Sequence, residues 1–204
     1  YGHTYYVTID NGVLNLADGS FQGVTKEDEW TFTTKSDMPE LSDTLIVDAT
    51  GKGDFNTVQG ALDFIPDFNE RQTVILVNPG DYEELVYTRN KWNVKIKGAG
   101  MADTKVHYAN NEVFNPHPLT VKTNEWPGTF PSRRAAFMLD NCKDIVIEDM
   151  TIATDLKGQA EGLLINGERI ALYRVHIIGS GDALQANGTI YMESCELDGG
   201  GDTI

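Results

Sequence analysis

The sequence predicts an all-β solenoid, a parallel β-helix with one short helix near its start. Three observations predict it. The second half of the 204-residue chain repeats with a period in the low twenties. Each repeat carries one or two short β-runs, and no helical pattern separates them.

The repeating segments are DNCKDIVIEDMTI, INGERIALYRVHII and ANGTIYMESCEL. Ile145, Ile170 and Ile190 are spaced 25 and 20 apart, and Met150, Val175 and Cys195 repeat that spacing. An ordinary β-sandwich with chance periodicity is the weaker reading, because three anchors align in register. The turn asparagines Asn141, Asn166 and Asn187 stand 25 and 21 apart, so their side chains are expected to hydrogen-bond along a ladder.

The elements follow in order. Residues 1–36 hold two alternating runs, YGHTYYVTID and Trp30 to Thr34, which resemble the last strands of a bacterial immunoglobulin-like domain. A stray β-hairpin is the other reading. Residues 37–43 are a polar, Pro-containing linker, and residues 44–204 form the solenoid. There a strand and a Gly-rich turn lead into a helix over Thr57 to Ile65, whose apolar face is Val58, Ala61, Leu62 and Ile65. Pro66 ends it. TVILVNPGDYEELVY and NVKIKGAG read as short strands broken by Pro-Gly and Gly.

Composition removes several function classes. Hydrophobic residues make up 40% and charged residues 23%, which fits neither a disordered chain nor a membrane-spanning one. Thirty-one acids against sixteen bases give a net charge of −15, which repels a nucleic-acid backbone. The same charge disfavours polyanions in general as partners. Cys142 and Cys195 show no metal-ligand spacing and read as reduced thiols.

The repeat also makes a statement about chemistry. GSGDAL contains Asp182 and GGGDTI contains Asp202, 20 residues on, the spacing of the strand anchors around them. The two carboxylates are therefore expected one above the other on neighbouring coils, roughly 4.7–4.9 Å apart. An acid/base group beside a nucleophile needs that arrangement. The glycines before each Asp leave an open groove. Solvated turn aspartates are the alternative reading.

The run from Gln159 to Ile204 resembles the core of the pectin methylesterases (pectinesterases). Gln159-Ala160, Tyr173-Arg174, Ser180-Gly181-Asp182-Ala183-Leu184 and Gly199-Gly200-Gly201-Asp202-Thr203-Ile204 match that family's motifs in order and spacing. GKGDFNTVQ (51–59) and NPGDYEELV (78–86) are similar to its opening segments, so the resemblance covers Thr44 to Ile204. It implies a right-handed parallel β-helix hydrolysing the methyl esters of polygalacturonate, with no metal or organic cofactor. It implies Asp202 as nucleophile, Asp182 as acid/base and Gln159 as an oxyanion donor. The immunoglobulin-like resemblance of residues 1–36 implies a secreted, periplasmic or cell-surface bacterial protein, with other domains of the same parent chain as neighbours.

Two departures stand out. The family's second Gln, beside the acid/base Asp, is Gly181 here; Gln185 or a backbone N–H would have to replace it. The family's Arg partner of the nucleophile, and a substrate-stacking Trp, fall past Ile204. Four more residues are candidates for substrate binding: Trp126 and Phe130 in the loop NEWPGTFPSRR, Lys157 beside Gln159, and Gln185. Arg133 and Arg134 read as solvated surface charge. The rival functions are another β-helix polysaccharide enzyme (lyase or glycosidase) and a non-catalytic carbohydrate-binding β-helix. A lyase would need a calcium-holding acid cluster, which the sequence does not contain.

Overall fold

The computed structural model describes residues 1–40, 42–113 and 134–204. The chain divides into two units, Tyr1–Glu40 and Leu41–Ile204. In the first, β1 (Thr4–Tyr6) pairs antiparallel with β2 (Thr31–Thr33), and no residue is buried. The packed core lies in the second unit.

That unit runs β3 (Thr44–Val47), α1 (Val58–Phe64), β4 (Thr73–Val77), β5 (Gly80–Glu83), β6 (Val86–Arg89), β7 (Trp92–Lys97) and β8 (Thr104–Tyr108). It continues with β9 (Phe137–Thr154), β10 (Leu163–Ile178), β11 (Leu184–Glu193) and β12 (Glu196–Asp198). Every pairing in this ten-stranded sheet is parallel. Successive coils stack: β4 and β5 on β7 and β8, then β6, β7 and β8 on β9, then β10, then β11 and β12.

Stacking puts like on like. Leu45, Ile75, Ile96, Ile147, Leu172 and Met192 form one continuous row through the core. The first five are fully buried, each side chain contributing about 1.5–3 kcal/mol relative to exposure. Ile145, Ile170 and Ile190 form the adjacent row, as their spacing predicts.

The asparagine ladder is broken into two. Asn187 donates to Asn166 at 2.8 Å, but Asn166 pairs with Asp140, and Asn141 donates instead to Asn90 at 2.7 Å. A bulge explains the difference. Asn141 is the extra residue on β9 and sits at φ 50°, so counting from it misses the true register by one.

The long strands β9 and β10 turn corners rather than run straight. Asp144 and Asp149 on β9, and Arg169 and Arg174 on β10, all have left-handed φ between 53° and 60°. Each Arg forks onto the Asp one coil away, with Nε–O distances of 2.6 Å in both pairs. Ion pairs thus hold the corners in line.

Helix α1 packs on β3, β4 and β6. Thr57 caps it by accepting from Gly60 N. The largely buried Glu84 carboxylate accepts from Val58 N and Gln59 N at 2.7 and 2.8 Å, and burial pushes its pKa up despite those bonds.

Candidate active site

The turn after β10 and the turn after β12 are built alike. At Gly179 a Cβ would fall 1.8 Å from the carbonyl oxygen of Asp182; at Gly199 it would fall 2.8 Å from that of Asp202. Each turn therefore folds tightly enough to bring the Asp carbonyl against the glycine three residues earlier. The two turns are also bonded to each other. Ile178 pairs with Asp198, Gly179 N donates to the Asp198 carbonyl at 2.8 Å, and Gly201 N donates to the Gly181 carbonyl at 2.7 Å. The 20-residue register thus runs through Asp182 and Asp202. Asp182 is half-buried and its Oδ1 lies 3.7 Å from where a Cβ on Gly201 would stand; Asp202 is exposed.

Gln159 joins them from the preceding coil. Ser180 N and Gly181 N both donate to the Ala160 carbonyl, and Gly158 N donates to Ser180 Oγ at 3.0 Å. Glu112 N donates to the Gln159 carbonyl at 3.1 Å, fixing the same loop from its other side. The Gln159 side chain reaches down to Gly181: its Oε1 lies 3.1 Å from the position a Cβ there would take.

The other candidates fall elsewhere. Trp126 and Phe130 lie outside the described residues, as does Arg133. Lys157 is exposed, and its carbonyl accepts from Asn111 Nδ2 at 3.1 Å. Gln185 stands in register with Leu164, and through it with Met138 and Tyr87, a row separate from the Asp182 turn. Among the described residues, no three His, Cys, Asp or Glu side chains converge as a metal site would require.

Arg134 departs from its expected place in solvent. Its Nε donates to both oxygens of Glu161 at 2.7 and 2.9 Å, and Nη2 also meets Glu161 Oε1. Glu161 is fully buried. Its bond to Glu161 raises the Arg134 pKa above the ordinary value, and the charges of Asp182 and Glu112 add to the effect. The guanidinium is thereby fixed on Glu161. The signal for it was Glu161 itself, a lone acid in the apolar run Ala160 to Ile165. A carboxylate in such a run requires a buried partner.

Two aspartates on hydrogen-bonded turns of neighbouring coils, with Gln159 reaching to Gly181 from the preceding coil, make up the candidate site. The family model described as Pectinesterase matches residues 44–204. The chain belongs to the pectinesterase family. Pectinesterase QRT1 from Arabidopsis thaliana is 30% identical over 168 residues, covering 78% of this chain and 43% of that protein. Pectinesterase 31 from the same plant is 29% identical, over 78% of this chain and 50% of its own length. The chain thus spans about half the length, or less, of these curated pectinesterases. The fold is that of solved pectin methylesterases. The carrot enzyme matches with a TM-score of 0.60 at 20% identity, over 78% of this chain and 53% of its own. The Aspergillus niger enzyme matches at 0.62 and 18%, over 79% and 52%.

Proposed function

We propose that the protein is a carbohydrate esterase that hydrolyses the methyl esters of polygalacturonate. The observation that carries this reading is the register of the two Gly-Asp turns, tied by the Gly201–Gly181 hydrogen bond, with Gln159 folded against them. Asp202, as carboxylate, attacks the ester carbonyl carbon. The tetrahedral oxyanion accepts hydrogen bonds from the Gln159 amide. As the C–O bond to the methoxy group breaks, Asp182 gives it a proton and methanol leaves. Asp182, now ionised, takes a proton from water, which attacks the acyl carbon; the galacturonate carboxylate departs and Asp202 is restored. Membership of the pectinesterase family and the printed names of the relatives favour this over lyase or glycosidase chemistry.

The substrate is an extracellular polymer, so the reading carries a secreted or cell-surface location and further domains in the same parent chain. No helix among the described residues is long and apolar enough to cross a membrane.

The test is methanol release from highly methylated pectin by the natural full-length protein and its Asp202→Asn variant. Release is expected from the natural protein, without shortening of the polymer, and only background release from the variant. Chain shortening would mark a lyase or glycosidase. Binding without methanol release would favour the non-catalytic reading, to which Gly181 in place of a glutamine lends weight.

A further inference from the structure

We infer that residues 107–112 are a brace that sets the backbone of Gln159, and that Asn111 is its positioning residue. The catalytic consequence rests on the esterase reading; the geometry does not.

The brace carries the stacking of β8 on β9 past the end of both strands. Lys105 pairs with Thr151 and Tyr108 with Thr154, an offset of 46 residues each time (151 − 105 and 154 − 108). Both strands stop there, but the contacts continue. His107 Nδ1 meets Asp155 Oδ2, Asp155 N donates to the Tyr108 carbonyl at 3.1 Å, and Thr154 Oγ1 donates to the Asn110 carbonyl at 2.8 Å. Asn111 Nδ2 then donates to the Lys157 carbonyl at 3.1 Å, still 46 residues on (157 − 111). Last, Glu112 N donates to the Gln159 carbonyl at 3.1 Å, where the offset has become 47 (159 − 112). The extra residue is Gly158, at a φ of 119° that side chains rarely adopt.

The brace is itself anchored. Asn110 is buried, and its Nδ2 donates to the Ala135 carbonyl at 2.9 Å, on the chain entering β9. Asn111 Oδ1 accepts from Val113 N at 3.0 Å, which holds the amide plane with Nδ2 aimed at Lys157. On its other side, the 157–159 turn is held by the bond from Gly158 N to Ser180 Oγ at 3.0 Å. The turn therefore lies between the brace and the loop that carries Asp182. The Gln159 side chain is exposed, so packing does not aim it. Its direction follows from the backbone at 157–159, and a shift there swings the whole side chain away from the oxyanion position.

The test uses Asn111→Ala and Asn111→Asp in the natural full-length protein, each alone and combined with Gln159→Ala. The aspartate keeps an acceptor for Val113 N but sets an oxygen against the Lys157 carbonyl. Both single variants are expected to lower kcat for methanol release by roughly tenfold, below the ~10²-fold cost of a full ångström of misplacement. KM should change little, because the oxyanion exists only in the transition state. A loss in Asn111→Ala but not in Asn111→Asp would assign the effect to the Val113 turn and overturn the inference. In the Gln159→Ala background both changes are expected to cost almost nothing. An equal cost in both backgrounds would mark a merely structural residue and overturn it too. Hydrogen exchange of the 155–162 backbone is read separately from catalysis. It should be faster in both Asn111 variants, and unchanged exchange sinks the proposal whatever the activity. Faster exchange with no methanol release from the natural protein upholds the brace and defeats the esterase reading instead.

Discussion

Arg134–Glu161 and Arg174–Asp149 are both forks between neighbouring coils, yet they do different work. The Arg174 pair sits at an exposed corner, where both residues adopt left-handed φ and where Lys97 also approaches Asp149. Water solvates it on one side, and its removal leaves two ions that water can accept. The Arg134 pair encloses a carboxylate with no solvent access at all. Such a pair is rarely the most stable filling for its volume, since taking both ions out of water costs about what their attraction returns. Apolar rows fill the rest of the core. Corner pairs set coil alignment; the interior pair satisfies a carboxylate that water cannot reach.

The largest expected effect tests the interior pair. Arg134→Met leaves Glu161 buried without its cation, and such a loss costs about 3–5 kcal/mol. The Arg134 side chain is 22% exposed, which places the cost toward the lower end of that range. Arg134→Met combined with Glu161→Leu should recover most of the stability, because no lone charge then remains inside. Urea unfolding of the three proteins measures this. Equal losses in the single and double variants would mean that the cost does not come from a lone buried charge.

A smaller effect belongs to the corners. Arg169→Met removes the fork onto Asp144, a carboxylate whose pKa is lowered chiefly by its hydrogen bond to Arg169. The pair is open to solvent, so the loss should be small and should shrink further in high salt. Thermal melts at low and high ionic strength read it. A salt-independent loss comparable to that of Arg134→Met would erase the distinction between corner and interior.

Much of this architecture was legible in the sequence. The inward rows were countable because a buried aliphatic must fall on a buried aliphatic in every coil, and Ile145, Ile170 and Ile190 obey that rule. The two Gly-Asp turns were countable for the same reason. The asparagine row was misjudged because a bulge adds a residue without changing composition. The corner arginines were hidden because left-handed φ is associated with Asn, Asp and Gly, not Arg. At Arg169 and Arg174 the ion pair to the coil above offsets the local cost. Arg134 was misjudged because its partner is 27 residues away across a coil, and only the oddity of Glu161 in an apolar run marked the pair. The contact between Gln159 and Gly181 could not be counted at all, since it depends on where a side chain leans.

The smallest effect is the pH dependence of the second corner. Asp149 is held below its ordinary value of 3.8 first by the Arg174 hydrogen bond, against some desolvation, and then by the charges of Arg174, Lys97 and Lys95. A carboxyl whose pKa falls on folding stabilises the folded state above its unfolded value, and that contribution fades as the pH drops through the folded value. The stability gap between the natural protein and Arg174→Met should therefore be widest near neutrality and close as the solution is acidified below about the ordinary carboxylate range. Lys97 lies 3.9 Å from Asp149 and is not changed in the variant, so the gap is expected to be modest even at its widest. The interior pair gives the same direction for the single change but from another cause, since a carboxylate left buried without its cation is relieved by taking up a proton. The deficit of Arg134→Met should shrink on acidification for that separate reason, while the double variant, with no carboxyl at 161, should show no such relief. Unfolding midpoints across the acid range, compared for the natural protein, Arg174→Met, Arg134→Met and the double variant, separate the two mechanisms. A gap for Arg174→Met that widens in acid would reverse the sign assigned to the corner.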